Sequence, residues 1–285
     1  MPDKRPSVIR QMKACLTAHI SAWFHSPRTL LMGLFILCIA FMLTRSYQNT
    51  LLVNAFTAHL GESVFFHLNM GFNMTMTSII LLIMVSEIPK RISYQNYILI
   101  RTSRVRWLAS LIIFCVAVVL LTLLLLTAFS TLLTLPYTAP GGGWSDLERL
   151  AENKDYQYEM QLVPEYIRAV SPWKACAYAA SILFFFWLTM LLVILLFAIW
   201  GHPNVGLILY AFVIFIPITL RFELFPGLKT PMHFATLSAV ARQFPEQELA
   251  SVPLVLAVYF ALDCILALAM LLHIRHTDLC FNGKE

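Results

Sequence analysis

Long apolar blocks constrain this chain more than any other feature of its sequence. Residues 107–134, for example, are mainly Leu, Ile and Val and include no charged side chain. The whole chain is 59% hydrophobic and 12% charged, whereas soluble domains carry about 25% charged residues. In a bilayer every backbone polar group must be satisfied within the protein, and helices do this within a single segment. The sequence therefore predicts an all-α integral membrane protein.

Six of the apolar blocks are predicted to be transmembrane helices, because a span needs about 20 mostly apolar residues. They cover Thr29 to Leu43, Phe65 to Ser86, Trp107 to Thr134, Trp173 to Trp200, the stretch from the turn at 201–204 to Leu220, and Val252 to Ile274. The first is short unless residues beyond Arg45 extend it. This predicts a transmembrane domain over 29–274, followed by a cytoplasmic tail over 275–285.

Residues 1–28 predict an amphipathic helix that precedes the spans. Its apolar residues recur at helical spacing: Val8, Ile9, Met12, Cys15, Leu16, Ile20 and Trp23. Arg10 and Lys13 fall on the other side. Such a helix is suited to the membrane interface, with its basic face toward lipid head groups. The alternative is an ordinary surface helix that packs on a partner.

The placement of charge predicts the orientation. Lys and Arg are concentrated in 1–28, in the connection 87–106 and in the tail. The loop 135–172 instead contains the acids Asp146, Glu148, Glu152, Asp155, Glu159 and Glu165. Basic loops stay on the cytoplasmic side, so both termini are predicted there and 135–172 is an acidic extracellular loop. The net charge of +5 is then a sign of topology and not of a nucleic-acid partner.

Two connections are longer than a tight turn requires. Residues 221–251 are half apolar and interrupted by Pro226, Gly227, Pro231 and Pro245, which predicts short extracellular helices that dip back toward the membrane. Residues 87–106 combine apolar side chains with a cluster of Arg. They could form a short helix that docks in a soluble partner, or the Arg residues could simply anchor the third span at the head groups.

The second of these connections has a distinctive sequence. Glu87 directly follows the second span, and the letters Leu-x-Arg-Thr-Ser-Arg-x-x-Trp, from 99 to 107, lead into the third. With the amphipathic N-terminal helix and six spans, this resembles the permease subunits of ABC-2 type ABC transporters. The resemblance implies an elbow helix at 1–28, a cytoplasmic coupling helix within 87–106 and extracellular re-entrant helices within 221–251. The loop 135–172 is longer than in the compact members of that family.

The resemblance also implies functional residues and partners. Contact with an ATPase subunit would involve Glu87, Arg91, Arg101, Thr102, Ser103, Arg104 and Trp107. The chain contains no GxxxxGK[ST] phosphate-binding loop, so it is not expected to be an enzyme or to hold a cofactor. ATP and Mg are expected on the partner ATPase. A second permease subunit, identical or different, would complete an exporter in the plasma membrane of a bacterial cell, with membrane lipids around it.

Two features within the spans are candidates for function. Asn69, Asn73 and Thr77 are spaced four residues apart, so one continuous helix would place them on one face. They could line a translocation path or form hydrogen bonds between helices. Asp263 is an isolated acid within the sixth span. It could relay a proton or an ion, or bond structurally to a Thr, Asn or Tyr.

Other functions find less support in the sequence. An intramembrane hydrolase would need a GxSxG or HExxH motif or a second membrane acid, and the cysteines show no CxxC pair for a metal. His273 and His276 could ligate a metal but are better suited to a helix C-terminus. A secondary transporter or channel, independent of ATP, would show an internal repeat or several membrane charges. A sensing or immunity subunit of an ABC complex, with 135–172 as a ligand-binding cap, stays open.

Overall fold

The computed structural model describes residues 8–54, 57–69, 71–86, 103–145, 170–219 and 252–276. Its helices are α1 (Val8–Phe24), α2 (Pro27–Asn54), α3 (Leu60–Asn69), α4 (Gly71–Val85), α5 (Arg104–Thr134), α6 (Pro172–Ile199), α7 (Pro203–Thr219) and α8 (Val252–His276). A 3₁₀ turn at Leu135–Tyr137 follows α5, and two short strands, β1 (Ala58–His59) and β2 (Thr138–Ala139), pair in parallel. The predicted re-entrant region 221–251, most of the coupling loop 87–106 and of the acidic loop 135–172, and residues 277–285 of the tail lie outside the described residues.

Within the described residues, four helices are long and apolar enough to cross a membrane: α2, α5, α6 and α8. Two others contain shorter apolar stretches, Thr75–Val85 in α4 and Pro203–Ile214 in α7. These helices confirm the predicted class, an all-α membrane protein. The predicted spans at 107–134, 173–200 and 252–274 agree with α5, α6 and α8 to within about three residues, which is close to the usual uncertainty of helix ends.

Helix α6 lies at the centre of the bundle. It contacts α3, α4, α5, α7 and α8, and 72% of its most apolar stretch is buried, compared with 28% in α2 and 22% in α8. A helix that is apolar on all sides needs such surroundings. The peripheral helices instead expose large apolar side chains, such as Phe35 in α2, Phe212 in α7 and Ile265 in α8. That outer surface is suited to lipid.

Side-chain contacts fix the directions of the helices. Phe185 packs against Phe260 and Trp200 against His273, so α6 and α8 run in the same direction. Ser63, near the start of α3, bonds Thr134 at the end of α5. Cys176, near the start of α6, donates to the carbonyl of Gly61 near the start of α3 at 3.2 Å, and Arg28, at the start of α2, donates to Ser86, just after α4. The ends of α4, α6 and α8 therefore share one side of the bundle with the starts of α2 and α5. We call this side the basic end, because Arg28, Arg104, Arg106 and Arg275 lie there.

Helix α2 extends well beyond the predicted first span, Thr29 to Leu43. Its buried stripe continues past Arg45 at the same helical spacing: Met32, Ile36, Leu43, Tyr47 and Leu51. This stripe packs mainly against α5 and α4. In the sequence, the charge of Arg45 suggests that the apolar span ends before it. In the structure the Arg45 side chain is exposed, so it does not interrupt the buried face of α2.

The predicted second span, 65–86, corresponds to α3 and α4, and residue 70 between them lies outside the described residues. Helix α3 begins at Leu60 and packs mainly against α5 and α6, whereas α4 packs mainly against α2 and α7. The two halves therefore have different neighbours. Asn69 is the last residue of α3, and Asn73 and Thr77 lie on α4; that the three share one face stays a prediction.

The turn from α6 into α7 depends on two glycines. Gly201 adopts φ 83°, and the N–H of His202 donates to the carbonyl of Phe197 at 2.9 Å, which is the Schellman arrangement that ends many helices. Gly206 then lies against α6, where an added Cβ would meet the Cα of Ile194 at 2.9 Å. The missing side chain allows α7 to pack closely on α6.

Replacing Gly206 by Ala should therefore destabilise the bundle, by about 1–3 kcal/mol, because overpacking displaces backbone. Gly33→Ala is the matched control. It lies inside α2 with nothing within 4 Å of its would-be Cβ, and should gain about 0.5–1 kcal/mol from helix propensity. Thermal unfolding of both variants in detergent measures the difference. Equal shifts of the midpoint would contradict the close approach of α6 and α7.

Candidate functional site

Helix α1 packs along the first half of α5. Cys15, His19 and Trp23 are buried on this side, and the ring of Trp23 meets that of Phe114 edge to face at 6.1 Å. The guanidinium of Arg106 donates to the side-chain oxygen of Gln11 at 2.5 Å. The amphipathic helix is thus attached to the bundle near the point where α5 begins.

The opposite face of α1 is open and basic. It forms a shallow groove lined by Arg10, Lys13, Ala14, Thr17, Ala18 and Ser21. Two cations and two hydroxyls supply donors suited to anionic groups such as phosphate or carboxylate. We call this surface the basic face of α1. It is the face that the sequence directs toward head groups or a partner.

The start of α5 contains the predicted coupling residues that the structure describes. The carbonyl of Ser103 accepts from the backbone N–H groups of Arg106 and Trp107 at 3.0 and 3.1 Å, which begins the helix. Ser103 and Arg104 are exposed. The remaining candidates, Glu87, Arg91, Arg101 and Thr102, lie outside the described residues.

Trp107 differs from its predicted role as a contact for another protein. Its side chain is fully buried, so it presents no surface to a soluble partner. The backbone carbonyl of Trp107 accepts from the hydroxyl of Ser110 at 2.7 Å. A large buried indole at this position fixes the start of α5 in the bundle. Trp107 therefore holds the first turn of α5 against the bundle.

A second polar contact ties the basic end together. Arg28 donates to the hydroxyl of Ser86 at 3.3 Å, which joins the start of α2 to the end of α4. The corner between α1 and α2 is closed by the hydroxyl of Thr29, which donates to the carbonyl of Trp23 at 2.6 Å. The residues on both sides of the connection 87–102 are thus attached to the first two helices.

Of the three residues predicted to line a translocation path, Asn69, Asn73 and Thr77, the structure describes the side chain of one. Thr77 is fully buried within this chain, and the side chains of Asn69 and Asn73 lie outside the described set. Beside Thr77, the indole of Trp187 donates to the hydroxyl of Ser78 at 2.9 Å. The hydroxyl of Tyr210 donates to the Ser78 carbonyl at 3.0 Å. Here α4 forms hydrogen bonds between helices, each about 0.5–2 kcal/mol.

Another polar cluster, which the sequence did not predict, lies between α2, α3 and α5. His67 is fully buried; its Nδ1 lies 2.6 Å from the carbonyl of Ser63 and its Nε2 lies 3.1 Å from the hydroxyl of Thr44. Ser63 in turn lies 3.0 Å from the hydroxyl of Thr134. His67 therefore joins α3 to α2, while Ser63 joins it to α5. No spacing along the sequence connects residues so far apart.

Glu62 lies at the end of the bundle opposite the basic end, where it connects the start of α3 to the chain that follows α5. Its carboxylate accepts from the N–H of His59 at 2.8 Å and from the hydroxyl of Ser145 at 2.7 Å, and from the N–H of Ser145. Glu62 follows His59 by three residues, as in a capping box, a spacing that could have identified it. Burial raises the pKa of Glu62, although the bonds from His59 and Ser145 oppose the shift.

Other contacts complete this outer clasp, which we define as His59, Glu62 and residues 141–145. Nδ1 of His59 lies 2.7 Å from the carbonyl of Gly143. A Cβ on Gly141 would lie 2.2 Å from the His59 ring, so only glycine fits there. The indole of Trp144 donates to the carbonyl of Val170 at 2.6 Å. The clasp therefore holds both ends of the acidic loop near α3.

Asp263 has the kind of partner that the sequence predicted for a structural bond. The hydroxyl of Thr189, on α6, donates to its Oδ1 at 2.6 Å. Elsewhere on α8 the ring of His273 lies 6.0 Å from that of Trp200. Among the described residues, no group of three His, Cys, Asp or Glu side chains could hold a metal ion.

Comparison of the chain with family models, curated proteins and solved structures finds no match. The functional assignment therefore depends on the sequence and on this geometry.

The outer clasp generates a prediction. Glu62→Ala removes the acceptor for three donors, which should cost about 1–3 kcal/mol. Burial raises the pKa of Glu62 in the folded protein. The stability that Glu62 contributes is therefore complete below the pKa that this group has in the unfolded chain, and it declines as the pH rises through the pKa in the folded protein. The loss should thus be larger at pH 5 than at pH 8.

Thermal unfolding at several pH values measures this loss. Ser181→Ala is the control. Among the described residues that hydroxyl bonds the carbonyl of Ala177 in its own helix, at 2.7 Å, so its removal should have little effect at any pH. A loss in Glu62→Ala that grows with pH would show that the carboxylate acts as a stabilised anion.

Proposed function

We propose that this chain is the membrane-spanning permease subunit of an ATP-driven ABC exporter of the ABC-2 type, coupled to a separate ATPase subunit. One observation carries the proposal. At the basic end α1 contacts the start of α5 through Gln11 and Arg106, and the start of α2 contacts the end of α4 through Arg28 and Ser86. Such a site is suited to receive a soluble partner and to transmit its movement.

The charges support a cytoplasmic location for this end. Most of the Lys and Arg residues that the structure describes lie there: Arg10, Lys13, Arg28, Arg104, Arg106 and Arg275. The described acids, Glu62 and Asp263, lie elsewhere. Since Lys and Arg are retained on the cytoplasmic side, we assign both termini to the cytoplasm, in a bacterial plasma membrane.

The helix directions support six crossings. Helix α2 leaves the basic end, α3 and α4 together return to it, α5 leaves, α6 returns, α7 leaves and α8 returns. In this proposal α3 and α4 together form the second crossing, and α7 is the fifth. The region 221–251 then connects α7 to α8 on the extracellular side, where the resemblance implies re-entrant helices.

Coupling would begin in the connection 87–102 and reach the bundle through its two ends. Ser103 and Arg104 are exposed beside it, while the buried Trp107 holds α5 in place. Glu87, Arg91, Arg101 and Thr102 stay coupling candidates by resemblance. ATP and Mg would bind the partner ATPase, because the chain lacks a phosphate-binding loop. Closure of the ATPase can move the helices only if the closed ATPase binds one arrangement of the helices more tightly than the other.

The translocation path would form between this chain and a second permease subunit. Thr77 is buried within one chain, so the path candidates that stay open are Asn69 and Asn73. A stand-alone secondary transporter, by contrast, would enclose its own path and would work without an ATPase. Dependence on an ATPase therefore separates the two.

Charge reversal at the basic end tests the partner. Arg104→Glu should reduce the amount of ATPase subunit that co-purifies with the tagged chain in mild detergent by about tenfold, because like charges across an interface are strongly unfavourable. Lys174→Glu, an exposed cation at the opposite end, is the matched control and should retain the partner. Recovery of no ATPase with the wild-type chain, or equal recovery with both variants, would contradict the proposal.

The topology has a direct test in intact cells. Ser103→Cys and Gly142→Cys place a thiol at exposed positions on opposite ends of the bundle. A membrane-impermeant maleimide should label Gly142→Cys from outside and should label Ser103→Cys only after the cells are opened. The wild-type chain gives the background from its own cysteines. Labelling of Ser103→Cys in intact cells would place the basic end outside.

A further inference from the structure

Asp263 lies at the middle of the membrane helix α8. It follows Val252 by eleven residues, a rise of about 17 Å, and the hydrocarbon core of a bilayer is about 30 Å thick. Its side chain is only 7% exposed. The acid is therefore far from both head-group regions.

The hydrogen bonding of this carboxyl group is incomplete. Oδ1 accepts the hydroxyl proton of Thr189 at 2.6 Å. Oδ2 is buried and finds no hydrogen-bond partner in the described part of the chain. Its surroundings are aromatic, with Tyr259 packed against Phe186 at 6.4 Å between ring centroids. One oxygen thus accepts from the neutral Thr189 hydroxyl, and the other makes no hydrogen bond with the described residues.

No cation from the described residues compensates the acid. Helix α8 packs against α6 and α5. On α8 the nearest titratable side chains are Tyr259 and the exposed Cys264. At the level of Thr189, α6 presents apolar residues, and between Trp107 and Thr134 the one titratable side chain of α5 is the thiol of Cys115. Neither Lys, Arg nor His in these parts of the chain faces the carboxyl group.

These facts limit what the group can bind. An unpaired carboxylate in such a site costs several kcal/mol, and a buried acid avoids the cost when it takes up a proton. A hard metal cation would instead need about six or more oxygen ligands. The described residues supply only the carboxyl group and the Thr189 hydroxyl.

We propose that Asp263 is a proton-binding site at the centre of the membrane domain, oriented by Thr189 on the central helix. The group is a neutral carboxylic acid in the folded protein. Release of its proton leaves an uncompensated charge between α6 and α8 and weakens their contact. This property is separate from export driven by ATP, since neither the basic end nor the connection 87–102 enters the reasoning.

Reaction with N,N′-dicyclohexylcarbodiimide tests the proposal on the wild-type chain. A protonated carboxyl group gives its proton to one carbodiimide nitrogen, and its oxygen bonds to the central carbon. The O-acylisourea then rearranges to an N-acylurea without loss of any atom. We expect a stable adduct on the peptide that contains Asp263, detected by mass spectrometry of the purified full chain, with a yield that falls at least tenfold between pH 6 and pH 9.

Two variants make the test specific. Asp263→Asn should lose this adduct, whereas Glu62→Gln should retain it, which separates Asp263 from the other buried acid. Asparagine also resembles the neutral acid, so the variant should unfold at the same temperature as the wild type at pH 5. At pH 8 the wild type loses stability, because keeping the Asp263 carboxyl group protonated costs free energy that asparagine does not require. The variant should therefore unfold about 2–4 °C above the wild type at this pH.

The opposite results would overturn the proposal. One such result is that Asp263 in folded wild-type protein is not labelled at pH 6, or that its labelling does not change with pH. The other is that the Asp263→Asn variant is less stable than the wild type at pH 8. That result would show that the carboxylate is ionised and held by a cation. If the variant fails to fold, the labelling profile of the wild type decides alone.

Discussion

The burial of α6 among α3, α4, α5, α7 and α8 is the constraint on which the rest of this bundle depends. In lipid, helices gain little from hiding apolar surface, so close packing and a few hydrogen bonds must hold them together. Three contacts of α6 illustrate this, one by close packing and two by hydrogen bonds. Gly206 allows α7 to approach its backbone, Trp187 bonds Ser78 of α4 and Thr189 bonds Asp263 of α8.

The two ends of the bundle are fastened in different ways. At the end opposite the basic end, the Glu62 carboxylate accepts from His59, before α3, and from Ser145, in the acidic loop. At the basic end the contacts are Arg28 with Ser86 and Arg106 with Gln11, and these involve exposed or half-buried groups. Polar contacts near water are weaker than buried ones. The basic end is therefore the side on which a partner could rearrange the helices at least cost.

The sequence predicts much of this fold but only part of the site. Helices α5, α6 and α8 were predicted correctly because each is an unbroken apolar block. The extension of α2 through Tyr47 depends on which neighbours its buried face meets, and local pattern does not contain that information. The charge cluster indicates Arg104 as a coupling candidate, which stays a prediction, but it does not show that Trp107 is buried. Glu62 was not predicted as a structural residue, although its spacing from His59 is that of a capping box at a helix start.

The central claim is that the basic end meets a soluble ATPase. Its most direct test is a photo-crosslinking amino acid introduced at position 103 of the full chain, activated in intact cells. The account predicts an adduct between the chain and a cytoplasmic ATPase subunit, identified by mass spectrometry, and no such adduct from position 142. Crosslinks from position 103 to lipid alone, or to an extracellular protein, would contradict it.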